Sequence, residues 1–431
     1  MNLNRKAMVL AVGAALAAPC AYAQVASPAG SNWEFYGKFY PEMTHAHGDG
    51  ATAPGTTGLA TFVGALGVAP TGGNAPNATI PRWEMQISNS YLGFRGSRDI
   101  GGGSKAIWQL EQTVNIDEGN QTASFASRDS FAGVSNNGWG TIRLGNMDTP
   151  FKRYGNVVGF LGVNSGNIVT PSNVKDKAGF GTSSSSSFNL RRANAIDLAS
   201  PTILGGLQSA AQYSIGNPTE TAITTSPKRF PRVVSWAVKW EQGPWYAGFM
   251  QESHFDLFGG SLNAPGGSAG TGLSNFTDPS VNSKDTANQV VVVYKMGIHS
   301  FEADFTRKKY GEYNVTPTAG GKFQEYKNIS YMLLMENRWS GAWRTAFSYV
   351  KAGAGSCKQA TLLTADCSTA GLEGTQISAG VAYYLDPSAY LFGLLARVTN
   401  GSSAQYNNTA LQKPNPGEDI KNIAVGFAYT F

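Results

Sequence analysis

The stretch Ala424–Phe431, AVGFAYTF, decides the fold. Val425, Phe427, Tyr429 and Phe431 fall on one face of a strand, and Ala424, Gly426, Ala428 and Thr430 on the other. A period of two with one apolar face is the mark of a β-strand. A soluble domain usually lets its terminus fray into polar residues. Here the alternation runs to the last residue, so the large face needs an apolar surrounding and the small face a crowded or wet one.

The same pattern recurs along the chain. NWEFYGKFYPE sets Trp33, Phe35, Gly37 and Phe39 against Glu34, Tyr36, Lys38 and Tyr40. VVSWAVKWE sets Val234, Trp236, Val238 and Trp240 against Ser235, Lys239 and Glu241, and HSFEADFTRK sets Phe301, Ala303 and Phe305 against Glu302, Asp304 and Thr306. The reading predicts sixteen strands, near 32–42, 83–95, 104–114, 126–135, 139–147, 190–200, 206–215, 231–241, 244–253, 287–296, 298–308, 325–337, 341–351, 373–384, 388–400 and 419–431. Parity breaks near Ser88, which predicts a bulge or late start in the second strand.

The connections alternate between tight turns, such as DIGGGSK, EQGPW and KMGIH, and long polar segments, among them 43–82, 148–189 and 254–286. Short turns at one end, long loops at the other and apolar-out alternation describe a transmembrane β-barrel. Closure satisfies every backbone group in lipid without helices. The fold class is therefore all-β, a 16-stranded antiparallel transmembrane β-barrel, and the last strand must pair with the first.

Composition agrees. Charged residues make up 14% of the chain, where about a quarter is usual for a soluble protein. MNLNRKAMVLAVGAALAAPCAYAQ has a basic start, a short apolar run and an A-x-A site, so residues 1–23 read as a cleaved signal peptide and 24–431 as the barrel. The formal charge of +5 includes Arg5 and Lys6, leaving about +3, which names no polyanionic partner and no nucleic acid. Cys357 and Cys367, close in sequence on an exported chain, predict a disulfide closing one outer loop. A metal site would want further ligands nearby, and HAHG at 45–48 reads as a solvated loop segment. No cofactor is expected.

FYGKF, YLGFRGSRDIGGGSKAIWQLE, SRDSFAGVSNNGWGTIRLGNMDTP, LASPTILGGLQSAAQYS and the terminal VGFAYTF resemble the general trimeric porins of Gram-negative bacteria, particularly the betaproteobacterial branch. The resemblance covers essentially the whole chain after the signal and implies a homotrimer in the outer membrane, among lipid and lipopolysaccharide, passing small hydrophilic solutes and ions by passive diffusion. It also implies that the third outer loop, about 148–189, folds inward and narrows the pore. Tyr91 stands where many relatives carry a pore-facing arginine.

A pore needs fixed charge where it is narrowest. Strand parity puts Lys38, Arg95, Arg128, Arg143 and Arg191 on the inward side. By resemblance, Lys38, Arg128 and Arg191 match cations that line the constriction in this family. The inserted loop carries Lys152, Arg153, Lys175 and Lys177 against Asp148 and Asp176, so the constriction is expected to be net positive and modestly anion-preferring. Some cations are equally placed to pair with Glu34, Glu111 or Asp197 and stiffen the wall. An enzyme on a barrel would need clustered acid–base groups, whereas His45, His47, His254 and His299 are scattered. The alternative is a substrate-specific channel for an organic acid or aromatic compound.

Overall fold

The computed structural model describes residues 31–53, 55–60, 77–87, 89–116, 125–163, 166–180, 186–216, 229–263, 275–315, 323–339, 341–359, 367–408 and 414–431. The predicted signal segment 1–23 lies outside them. The chain forms sixteen barrel strands. Strand β1 comes in two pieces, Ser31–Phe39 and Glu42–Asp49, and β2 in two, Arg82–Gln86 and Tyr91–Gly101. Then follow β3 (Ser104–Thr113), β4 (Ser130–Asn136), β5 (Gly140–Asp148), β6 (Arg191–Ala199), β7 (Leu207–Ile215) and β8 (Arg232–Gln242). The second half holds β9 (Trp245–Phe255), β10 (Asn282–Met296), β11 (His299–Tyr313) and β12 (Phe323–Arg338). The barrel ends with β13 (Trp343–Ala352, continued by Ser356–Gln359), β14 (Gly374–Tyr384), β15 (Ala389–Asn400) and β16 (Asp419–Thr430).

Each strand pairs antiparallel with its sequence neighbours, and β16 returns to β1 through Lys38↔Thr430 and Ile420↔Gly48. Reciprocal bonds from Gly37 N to Phe431 O (3.0 Å) and Phe431 N to Gly37 O (3.1 Å) seal the seam. Gly37 is required there, because a Cβ would stand 2.7 Å from the Phe431 ring and 2.9 Å from the Tyr91 carbonyl. At the tight end, two-residue turns begin with Gly243 (φ 57°) and Gly297 (φ 58°), left-handed positions where glycine carries no steric penalty.

Burial is inverted relative to a soluble sandwich. Phe35, Leu144, Leu198, Phe249, Val290, Phe305, Leu333, Phe347, Leu395 and Val425 are exposed on the outside, while Ser235, Glu252, Gln289, Glu302, Asp304, Lys308, Ser330 and Gln376 are buried within. Trp33, Trp240, Trp245 and Trp343 are also exposed near the strand ends on the tight-turn side, as an interfacial aromatic girdle should be.

Two boundaries differ from the sequence reading. The first loop does not begin at 43: after Pro41 interrupts the ladder, Glu42–Asp49 resumes as strand, pairing with β16 and with Arg82–Gln86. Its alternation, with Met43 and His45 outward opposite Met85 and Trp83, was legible but lay beyond a proline. HAHG is therefore wall rather than loop; the His45 ring lies 5.2 Å from the Trp83 ring and His47 Nε2 3.8 Å from Asp49. Strands β10 and β11 likewise extend further from the turn, to Asn282 and Tyr313, than the apolar alternation reaches.

Candidate functional site

The third outer connection leaves β5 at Asp148 and enters the barrel through α1 (Pro150–Gly155). Proline at the first helical position is preorganised for this entry. The Thr149 hydroxyl accepts from Lys152 N at 3.4 Å as its N-cap. Thr149 N also donates to Leu190 O (3.2 Å), tying the two ends of the loop together.

From there the backbone is fastened across the lumen by inward-facing wall residues. Phe151 N donates to Ser235 Oγ (3.0 Å), Tyr246 Oη to Tyr154 O (2.6 Å) and Gln289 Nε2 to Gly155 O (2.9 Å). Val157 N and Val158 N both donate to the Glu302 carboxylate, at 3.3 and 2.6 Å. The loop then reaches the far wall, where the tip turns at Leu161 and Gly162. Tyr390 Oη donates to Leu161 O and Lys38 Nζ to Gly162 O, both at 3.3 Å. Gly380 makes room for this tip, since a Cβ there would stand 2.8 Å from Phe160 and 2.9 Å from Leu161.

On the return limb, residues 167–170 and 172–176 are buried. Asn167 Nδ2 donates to Glu42 (2.9 Å), and Gln376 Nε2 donates to Ile168 O and Thr170 O (3.3 Å each). The short helix α2 (Ser172–Lys175) brings Lys175 into an ion pair with Asp304, while Lys308 Nζ and Ser330 Oγ donate to the Lys175 carbonyl. Asp176 is buried beside them, and that burial raises its carboxyl above the usual range against the opposing pull of Lys175 and Lys308.

This corrects one part of the sequence reading. Lys175 and Asp176 do not present charge to the pore: both are buried, and Lys175 is consumed in holding the loop to β11 and β12. The inward parity of Glu302 and Asp304 was visible in the sequence. That the loop would descend onto them was not, because contact between a loop and a distant strand leaves no local pattern.

Between the entering limb and the β1–β5 wall lies an open cavity of about 310 Å³. Lys38, Arg128, Lys152 and Arg153 line it, opposed by Asp148, with Tyr91, Asn89, Asn156 and Gly162 completing the rim. Lys152 Nζ lies 3.1 Å from Asp148, one helical turn away. Arg128 pairs with Glu111 and lies 4.7 Å from the Tyr91 ring centroid, and Glu111 also accepts from Tyr36 Oη at 3.0 Å. Arg153 pairs with Asp197 at 2.8 Å.

The other candidates stand back from the opening. Arg191 bridges Asp129 (2.6 Å) and Asp148 (2.9 Å) behind it. Arg143 meets the same Asp197 as Arg153, at 2.6 Å. Arg95 pairs with Glu34 and lies over the Tyr36 ring, nearer the tight turns. Glu34, Glu111 and Asp197 are the wall carboxylates that parity offered as partners. Asp129 was missed: the predicted strand 126–135 gave it the parity opposite to Arg128, whereas β4 begins only at Ser130 and both residues lie ahead of it. Cys357 and Cys367 form a disulfide with Cα atoms 5.7 Å apart.

A closed barrel with an apolar outer face, a folded-in loop and a charged opening is the architecture of an outer-membrane pore. The chain matches the family model described as Gram-negative porin over residues 8–403, and it belongs to that family. Among curated relatives, the major outer membrane protein P.IA of Neisseria meningitidis serogroup B is 44% identical over 70 residues, covering 16% of this chain and 17% of that one. The P.IB protein of Neisseria gonorrhoeae is 40% identical over 72 residues, covering 17% and 20%. The chain thus aligns with about a fifth or less of the length of these relatives. Among solved structures, the anion-selective porin from Comamonas acidovorans superposes with TM-score 0.67 at 18% identity, over 93% of this chain and 100% of that one. OmpT of Vibrio cholerae gives 0.58 at 13% identity, over 95% and 100%. These likenesses establish the fold, and the family places the chain in the Gram-negative outer membrane.

Proposed function

We propose that the protein is a channel for passive diffusion of small hydrophilic solutes and ions through the outer membrane, with a modest preference for anions. The observation that carries the sign is the make-up of the opening: four cationic side chains against one carboxylate. Low-dielectric walls focus such a field, while the pairings of Arg128 with Glu111 and of Arg153 with Asp197 cancel part of it, so the outcome is preference and not exclusion. The anion-selective name of the Comamonas porin is in keeping with this. The same reading makes the chain a channel rather than an enzyme.

The working unit is proposed to be a homotrimer embedded in outer-membrane lipid and lipopolysaccharide. The outer face around the seam supports it: Phe35, Phe94 and Phe431 form a contiguous aromatic patch, with ring centroids 5.0 Å and 5.5 Å from Phe35. A trimer form is described for OmpT of Vibrio cholerae. Swelling of liposomes carrying the protein tests the diffusion reading. Rates should fall with sugar size and rise linearly with concentration. Saturation at low concentration of one solute would instead indicate a substrate-specific channel.

A further inference from the structure

A cationic patch lies on the outward face of β11–β13, just beyond the apolar band on the side of the long connections. The alternation that turns Phe305, Ile329, Leu333 and Phe347 outward carries on into charge. Arg307 is the next outward residue after Phe305, Lys327 the next before Ile329, and Lys351 the next after Tyr349. The rings of Tyr331 and Tyr349, with centroids 6.4 Å apart, mark the aromatic level at which the apolar band ends.

One sign dominates the patch. The register sets Lys309 directly opposite Lys327, and like charges so placed repel. Glu325 relieves them, with one carboxylate oxygen 2.5 Å from Lys309 and the other 3.2 Å from Lys327. Lys358 stands opposite Glu325 across the next pair of strands. Arg307, Lys351 and Lys358 are exposed and have no ion-pair partner among the described residues. Between Lys351 and Lys358 the strand breaks at 353–355, and the surface there is open: a Cβ on Gly353 would meet only Ile329 O, at 3.7 Å. The seam side of the same rim is balanced instead, since Arg397 pairs with Asp419 (2.9 Å) and Lys421 with Asp49 (2.5 Å). A lone lysine beyond an apolar band needs no ligand, because its stem reaches the headgroup level by itself. A facing lysine pair bridged by one carboxylate and flanked by three unpaired cations calls for an anion.

We propose that this patch is a docking site for the phosphates of lipopolysaccharide, held by direct ion pairs. The inference rests on the proposed embedding in lipopolysaccharide and names the face and the chemistry that hold it. A phosphate monoester carries about −1.5 to −2 charge near neutral pH and three acceptor oxygens, so a head with two of them matches the excess of cations. The acyl chains then run down over Phe305, Ile329, Leu333 and Phe347. A zwitterionic phospholipid would bring an ammonium of its own into the patch. A divalent cation bridging protein to phosphate would need protein oxygens, and both oxygens of Glu325 are taken by lysines.

The test is a titration of the protein, refolded free of lipid in non-ionic detergent, with diphosphorylated lipid A, read by native mass spectrometry with a chelator present. The variant Arg307→Gln with Lys351→Gln and Lys358→Gln keeps the Glu325 pairs and should raise the half-saturating concentration about tenfold, as the loss of three surface contacts to an anionic lipid implies. Arg397→Gln, on the balanced side, should leave it unchanged. Dephosphorylated lipid A should bind wild type as weakly as the diphosphorylated form binds the triple variant. Folding of each variant is read from its unheated electrophoretic band. Equal binding by wild type and triple variant overturns this site while leaving lipopolysaccharide as a partner; binding by neither removes both. Wild-type binding that appears only when magnesium replaces the chelator overturns the direct ion pairs. Cardiolipin bound by wild type as tightly as lipid A assigns the patch to a phospholipid and overturns the proposal. Liposome swelling stands apart from these outcomes: the triple variant should pass solutes at the wild-type rate, and a wild type that passes none breaks the channel reading alone.

Discussion

The two walls of this barrel use the same kind of residue for opposite ends. On β9–β12 the inward charges Glu302, Asp304 and Lys308 are buried, and they are spent on the backbone and side chains of the inserted loop. On β1–β6 the inward cation Lys38, with Arg128 just ahead of β4, remains beside an opening, and Arg143 and Arg191 stand behind it, each next to a carboxylate. Sequence parity treats both walls alike. The difference is made by where the third loop lies, since a charge covered by backbone becomes a fastener and a charge left beside water becomes a field.

The most disruptive way to break this contrast is to attack the fastener. Lys175→Met leaves Asp304 buried without its partner, and removing one member of a buried pair typically costs about 3–5 kcal/mol. The inserted loop should loosen. Single-channel records should show a larger, noisier conductance, and the folded band should be lost at a lower temperature on electrophoresis. Unchanged, quiet conductance would show that the loop is held by backbone contacts alone. A bulky residue at position 380 should act in the same direction by displacing the loop tip from β14, and Gly380→Leu tests it in the same recording.

Removing charge from the open wall should be milder. One unit charge about 8 Å away in water is worth roughly 0.5 kcal/mol, about twofold in a permeability ratio. Arg128→Gln with Arg191→Gln should shift the zero-current potential toward cations by about that factor per site. The Arg191 change also releases Asp129 and Asp148 from their partner. Conductance should rise modestly through the freed cross-section, and the shift should shrink in concentrated salt.

The smallest effect on the channel is expected from the disulfide. Cys357, in the continuation of β13, and Cys367 close a short segment, worth about 3 kcal/mol to that segment by loop entropy. Cys357→Ser with Cys367→Ser should leave conductance and ion preference unchanged while speeding proteolysis of the outer loop. Two free thiols in the exported wild-type protein, found by non-reducing mass mapping, would remove this element from the account.

Much of the barrel was legible because lipid imposes a strict rule on every strand. Phe35, Phe305, Leu333 and Val425 must all face out, so their period of two survives without help from tertiary context. The exceptions are instructive. Glu42–Asp49 hid behind Pro41, and the outer ends of β10 and β11 alternate in polar residues, where no apolar face marks the period. The constriction was legible only in part. Lys38, Arg128, Asp148, Lys152 and Arg153 do meet around one opening. Arg95 and Arg143 share their inward parity, but parity carries no information about height along the barrel. The role of Lys175 was misread because its partner, Asp304, is 129 residues away in sequence.

The central claim is that the open wall and the entering limb of the loop leave the narrowest part of the pore net positive. The zero-current potential of the wild-type channel in a potassium chloride gradient tests it most directly. The account predicts a potential of the sign set by chloride, weakening as salt rises beyond about 0.15 M, where the screening length falls below roughly 8 Å. A potential of the sign set by potassium would mean that Glu34, Glu111, Asp148 and Asp197 govern the opening, and it would contradict the account.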